Sequence, residues 1–169
     1  MTQRRTMPAE MQGKITEDGV ARMRARIGVL IPQPPPYNTE ATFDTMRHFA
    51  HGYGEDNPLF TDTDYGKATR WRGLIAAPLY VQTMGITTVK EIPPEIRKKG
   101  AGALTGVPNY LSGSSWEFFR PIYPGDVIFQ RYFISDVQEK RSEFGGGKAV
   151  VVYHRREYTN RAGEIVTTN

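Results

Sequence analysis

Apolar residues recur at steps of three and four near the start of the chain: Val20, Met23, Ile27 and Leu30. That spacing predicts a helix with one buried face. Thr16 suits its N-cap, because a hydroxyl there accepts an amide N–H that the first turn leaves free. Glu17 and Asp18 follow, where the helix dipole favours acids. Ile15 before the cap and Val20 inside it fit a hydrophobic staple. The helix must end by the proline-rich run at 32–36, since proline lacks the N–H and clashes inside a helix. A second helix is expected over Glu40–Tyr53, with Phe43, Met46, Phe49, Ala50 and Tyr53 on one face and Gly52 and Gly54 ending it. A third starts near Ala77-Pro78, as proline suits a first turn. Leu79, Val81 and Met84, flanked by Leu74 and Ile75, make it apolar almost all round, which predicts burial.

The pattern changes after about residue 108. Large residues alternate in SSWEFFRPIYPGDVIFQRYFISDVQ, interrupted at Pro124-Gly125. A β-branched run, Val150-Val151-Val152, leads to Asn160-Arg161-Ala162-Gly163, a hairpin turn. Phe144–Lys148, with three glycines, is read as another hairpin loop. The last strand begins near Glu164 and the sequence stops at Asn169, so it is either a short edge strand or the chain is cut early. Helices first and long antiparallel strands afterwards predict an α+β fold, with a sheet on one buried helix. Residues 1–14 are expected to be a loose tail and 15–169 a single domain.

Composition narrows the function classes. The chain has 169 residues, enough for one core without staples, and no cysteine, so neither disulfides nor thiolate chemistry. No apolar run nears the roughly 20 residues of a spanning helix, and the N-terminus has no apolar stretch like that of an export leader. A cytoplasmic location with no membrane partner is expected. The net charge is +4, but bases and acids alternate without a basic stripe, so no nucleic-acid partner is expected.

Few motifs carry chemistry. Gly145-Gly146-Gly147 precedes a strand rather than a helix, which defeats the phosphate-loop logic and favours a hairpin. His48 and His51 share a helix face but have no third ligand, and Asp44 is a ready surface partner for His48, so no metal is expected. Arg97-Lys98-Lys99 follows a Pro-Pro turn; it suits ligand phosphates, though a solvated loop is the simpler reading. The turn Gly54-Glu55-Asp56-Asn57-Pro58-Leu59-Phe60 holds two acids, an Asn and a Pro. Asn-Pro initiates turns and Asp56 can bond its own backbone, so the turn alone does not demand catalysis.

That turn has company. YGEDNPLFTDTDYGKATRWRGLIAAPLY resembles the signature of the MaoC-like, or R-specific enoyl-CoA hydratase, family, and YLSGSSWEFFRPIYPGDVI resembles its later strand and Pro-Gly-Asp turn. The similarity is greatest to the FAS1-like dehydratase N-terminal branch. It implies a hotdog fold, a curved antiparallel sheet wrapped around a long central helix. It also implies an acyl-CoA thioester ligand, no cofactor, and catalysis by an Asp, a His and a Gly amide. By this resemblance the Asp position is Glu55, the Asn-Pro pair is Asn57-Pro58, the His position is Phe60 and the Gly position is Pro78. Phe60 cannot move a proton and Pro78 has no N–H. The resemblance therefore implies a non-catalytic subunit that shapes the substrate tunnel for a long or bulky acyl group. Its partner would be a second hotdog subunit bearing the Asp and His, in a heterodimer or heterotetramer. Substrate contacts are expected from Asn57, Pro58, Phe60, Trp71, Pro78 and Tyr80, with Tyr65 nearby, and residual chemistry only from Glu55. Two alternatives stand: a homodimeric acyl-CoA-binding module, and a thioesterase using Glu55 as base.

Overall fold

A computed structural model describes residues 13–143 and 147–169. Its elements are α1 (Glu17–Arg24), α2 (Phe43–Gly52), α3 (Thr63–Ala68), α4 (Pro94–Lys99), β1 (Glu117–Phe118), β2 (Phe129–Lys140), β3 (Ala149–Thr159) and β4 (Ile165–Thr168). Two short 3-10 helices, Pro58–Phe60 and Pro78–Thr83, lie among the helices. The four strands form one sheet in the order β1-β4-β3-β2, with β4 antiparallel to both β1 and β3. The expected α+β order of helices before strands is what the chain adopts. No helix among the described residues is long and apolar enough to cross a membrane.

The chain divides into two compact units. The first comprises residues up to Ile31, Glu91–Ser114 and Phe133–Arg155. Its core is Val20, Ile134 and Val137, with Ile15, Met23, Leu104, Val150 and Val152 packed around them. Thr16 caps α1 as expected, its hydroxyl accepting the Gly19 N–H at 3.1 Å. The helix stops at Arg24, however, short of Ile27 and Leu30. Gly28 takes φ +76°, outside helical space, and its N–H goes to the Ile134 carbonyl at 2.9 Å. Ile27 and Leu30 thus bridge to β2 instead of extending the helix. Of the expected tail, residues 1–12 lie outside the described residues, while the Gly13 N–H bonds the Gly106 carbonyl at 2.9 Å. The glycine loop also falls mostly outside them, at 144–146.

The second unit comprises Pro32–Lys90, Ser115–Tyr132 and Arg156–Asn169. Met46 of α2, Tyr80, Val81 and Met84 pack with Ile122, Ile128, Tyr158 of β3 and Val166 of β4. The buried apolar element is therefore where the sequence puts it, but it is a six-residue 3-10 helix rather than a long α-helix. Met84 is already extended, Gly85 has φ +111°, and the Ile86 N–H bonds the Ile128 carbonyl at 2.8 Å. The β-branched run that follows, Ile86-Thr87-Thr88-Val89, disfavours helix, so strand-like bonding takes over. The Pro124-Gly125 turn anchors α2: the Gly125 N–H bonds the Ala41 carbonyl at 2.7 Å, and the Ala41 N–H bonds the Asp126 carbonyl at 2.8 Å. Asn160–Gly163 forms the expected hairpin, with Gly163 at φ +77° and Asn160 Oδ1 accepting the Ala162 and Glu164 N–H groups, both at 3.0 Å. β4 is not an edge strand; β1 covers it.

Candidate functional site

The Gly54–Phe60 turn is built from the end of α2 outward. Gly54 sits at φ +81°, a conformation that L side chains avoid, and this reverses the chain. The Glu55 N–H then closes onto the Ala50 carbonyl at 2.9 Å. Glu55 Oε1 accepts the Asn57 N–H at 3.0 Å, and Asn57 Oδ1 accepts the Leu59 N–H at 3.0 Å, capping the 3-10 helix Pro58–Phe60. The Asp62 N–H bonds the Pro58 carbonyl at 2.8 Å, and the Asp62 carboxylate in turn caps α3. Asp56, expected to bond its own backbone, is exposed and has no hydrogen bond or ion pair among the described residues. Glu55 and Asn57 do that work instead.

Glu55 has a second partner that the sequence reading missed. The Tyr53 hydroxyl donates to Glu55 Oε2 at 3.4 Å. Burial, the Glu55 charge and this bond together push the Tyr53 hydroxyl above the usual tyrosine range, so it stays a donor at neutral pH. Tyr53 reads in the sequence only as the last residue of a helix face. The left-handed Gly54 between the two residues accompanies this pairing, and helical periodicity carries no sign of it.

The remaining candidates lie on the same unit. Phe60 is half-buried and Pro78 is exposed as the first residue of its 3-10 helix. Tyr80 is fully enclosed, and its hydroxyl pairs with Thr45 Oγ1 at 2.7 Å. Burial raises the Tyr80 hydroxyl above the ordinary tyrosine range, against the opposing effect of its hydrogen bonds. Phe49 of α2 meets Tyr53 and Tyr80 edge-on, at 5.2 and 5.6 Å between ring centroids. Contacts thus run without a break from Glu55 through Tyr53 and Phe49 to Tyr80, so α2 ties the turn to the helix that Pro78 begins. Trp71 stands outside this chain of contacts. Its ring carries the Arg70 guanidinium at 4.4 Å, and its carbonyl accepts the Tyr123 hydroxyl at 3.0 Å. Tyr65 is exposed on α3. His48 and His51 are exposed, and Asp44 pairs with Arg47 at 3.3 Å rather than with His48. Among the described residues no cluster of three His, Asp or Glu side chains is placed to hold a metal.

The family model described as the FAS1-like dehydratase domain region matches residues 27–169. The chain belongs to that family. This FAS1-like dehydratase chain is 26% identical over 161 residues to a Thermomonospora curvata protein described as a probable enoyl-CoA hydratase alpha subunit. The match takes in 90% of the chain and 50% of that protein, so the chain spans about half the length of this relative. Two Mycobacterium tuberculosis assemblies resemble it in structure. The ChsH1-ChsH2 complex matches with TM-score 0.61 and 18% identity, over 90% of either chain. The HadBC 3R-hydroxyacyl-ACP dehydratase complex matches with TM-score 0.54 and 20% identity, over 83% of this chain and 88% of that one. The FAS1-like dehydratase chain thus has the MaoC-like hotdog fold.

Proposed function

We propose that this chain is the non-catalytic, substrate-shaping subunit of a heteromeric R-specific enoyl-CoA hydratase or dehydratase acting on long or bulky acyl-CoA thioesters. One observation carries the reading. At the three positions where the family resemblance puts Asp, His and a Gly amide, this chain has a carboxylate held by its own turn, a benzyl ring and an imino nitrogen without hydrogen. Hydration needs a base to take a proton from water as oxygen adds to C3, and an acid to deliver a proton to C2. Phe60 does neither. Pro78 offers no N–H to the thioester oxygen as negative charge builds there. Loss of one such donor costs roughly 10²–10³ in rate, and loss of a general acid or base about 10²–10⁴. A site short of both is nearly inert, although such losses need not add.

The complex reading is supported by the company the chain keeps: a relative described as an alpha subunit, and structural neighbours that are two-protein complexes. In this reading a second hotdog subunit supplies the Asp and His. Asn57, Pro58, Phe60, Trp71 and Pro78 then border the acyl path, with Tyr80 bracing it from within. The thioesterase alternative fits less well, because both Glu55 oxygens already accept hydrogen bonds from its own turn.

The test is hydration of a trans-2-enoyl-CoA by the purified chain, alone and mixed with a hotdog subunit that carries the Asp and His. Negligible turnover alone and turnover in the mixture, unchanged by Glu55→Gln, is the expected result. A robust rate from the isolated chain would sink the proposal. So would acyl-CoA hydrolysis abolished by Glu55→Gln, or a stable homodimer that binds acyl-CoA and activates no partner.

A further inference from the structure

The basic cluster at 97–99 is not a loop. It is the last turn of α4, where bases answer the helix dipole. α4 belongs to a longer stretch, Glu91–Ser114, that lies wholly in the first unit. No residue of that stretch is buried. Among the described residues, Leu104 alone of the stretch packs against the unit's apolar core of Val20, Ile134 and Val137.

Leu104 does so from a backbone that does not suit it. After α4 the chain runs through successive tight turns. The Ala103 N–H bonds the Gly100 carbonyl and the Thr105 N–H the Gly102 carbonyl, both at 3.3 Å, and the Val107 N–H bonds the Leu104 carbonyl at 3.1 Å. Left-handed positions alternate along these turns: Gly102 at φ +72°, Leu104 at φ +52° and Gly106 at φ +75°. Glycine takes the outer two without a clash, whereas an L side chain there is disfavoured roughly tenfold. The side chain at 104 therefore does something that a third glycine would not. Leu104 Cδ2 lies 3.6 Å from where a Cβ would stand on Gly19, an ordinary contact distance, so the leucine is seated directly over α1.

The other ties are light. Arg22 Nη1 donates to the Ala101 carbonyl at 2.9 Å, and the Gly13 N–H bonds the Gly106 carbonyl at 2.9 Å. The Arg26 stem lies over Gly100, where a Cβ would meet its Cδ at 2.8 Å. Between these ties the seam is not filled. A groove of about 260 Å³ runs there, lined by Arg26 on one side and by Ile92, Ile96, Arg97, Gly100 and Ala101 on the other. α4 adds little hold of its own, since six residues are too few for a helix to stand alone in water.

We propose that residues 91–114 form a flap that lifts off α1 as one piece, with Leu104 as a sprung latch, while the rest of the first unit stays folded. Lifting parts Leu104 from the core, Arg22 from Ala101 and Gly13 from Gly106, and it frees position 104 from its left-handed backbone. Segments with few buried contacts are the ones that open locally, below the free energy of global unfolding. The open form uncovers the apolar face that Val20, Ile134 and Val137 share, so the flap gates access to that face. The inference stands apart from the acyl-CoA reading above, and its test needs no ligand, no partner and no turnover.

Hydrogen exchange of the full chain is followed by NMR over rising urea, below the unfolding transition. The Gly13, Ala103, Thr105 and Val107 amides are expected to share one opening with a shallow urea dependence. It should be at least about tenfold more populated than the opening of the α1 amides Val20 and Ala25, whose urea dependence is steep. Val152→Ala thins the core beneath the flap. It should speed exchange at Val20 and Ala25 and leave the flap amides unchanged, because the open form keeps Val152 in place. Leu104→Ala loses the latch and keeps the strained backbone, so it should raise the flap opening about tenfold. Leu104→Gly loses both and should raise it less. Arg22 is exposed, so Arg22→Ala leaves the fold intact, and it should raise the opening through the lost Ala101 tie. Flap amides with the free energy and urea slope of Val20 and Ala25 would overturn the flap. So would Val152→Ala moving both sets together. Leu104→Gly opening the flap as far as Leu104→Ala would overturn the latch.

Discussion

At the scale of single residues, the proposed loss of chemistry rests on Phe60 and Pro78, a benzyl ring and a nitrogen without hydrogen at the positions where the family resemblance puts a His and a Gly amide. Their neighbours are structural. Asn57 holds the turn through one side-chain acceptor, so Asn57→Ala should lower stability by about 1 kcal/mol, the usual value of a cap. Urea denaturation measures it. Tyr53 gives a sharper reading of the Glu55 carboxylate. Burial raises the Tyr53 hydroxyl most, and Glu55 raises it further by charge and by hydrogen bond. In Glu55→Gln the charge is gone and burial remains. The Tyr53 transition, followed by ultraviolet titration of tyrosinate, should therefore move down, though not fully to the ordinary tyrosine range. Several of these residue roles are legible in the chain: Thr16 as a cap, Asn57-Pro58 as a turn, Asn160–Gly163 as a hairpin. Each depends on neighbours within four positions. The Tyr80–Thr45 hydroxyl pair spans 35 positions and leaves no local trace.

At the scale of elements, strand β2 is joined by charge to α1 and to Lys148, the residue just before β3. Glu139 accepts from Arg24 at 3.3 Å and from Lys148 at 3.0 Å. The Lys148 hydrogen bond is the chief reason its carboxyl lies below the usual glutamate range. A lowered folded pKa means stability that is present above the unfolded value and lost as pH falls through the folded one. Acid destabilisation from this group is therefore expected below about pH 4. Glu139→Gln should flatten the dependence of unfolding free energy on pH in that window. Asp136 acts in the same direction, held down first by the Gln138 side chain. Element boundaries were less legible than element types. α1 ends at Arg24 because Gly28 turns away to bond β2, a contact made 106 positions along the chain. α4 escapes periodicity altogether, since six residues are too few to show a face.

At the scale of the whole chain there are two compact units with separate apolar cores. Met46→Ala removes a side chain at the centre of the larger cluster and should cost about 2–5 kcal/mol. Hydrogen exchange should then show protection lost first at amides of Pro32–Lys90, Ser115–Tyr132 and Arg156–Asn169. Equal loss at Val20 and Val137 would mean that the two cores melt as one. The sequence by itself determined the α+β class, the family, the capped start of α1, the hairpin at 160–163, and that positions 60 and 78 hold a Phe and a Pro, which have no imidazole and no amide N–H to offer. These are matters of local spacing, propensity and residue identity. Tertiary structure alone decided that the apolar element at 78–83 is a short 3-10 helix, that β4 lies inside the sheet, that Tyr53 reaches Glu55, and that Arg26 and Arg97 share a groove. The helix type, the strand order and the groove turn on distant groups that no short window of sequence contains, whereas Tyr53 and Glu55 are two positions apart and meet across the left-handed Gly54, which side-chain periodicity does not register.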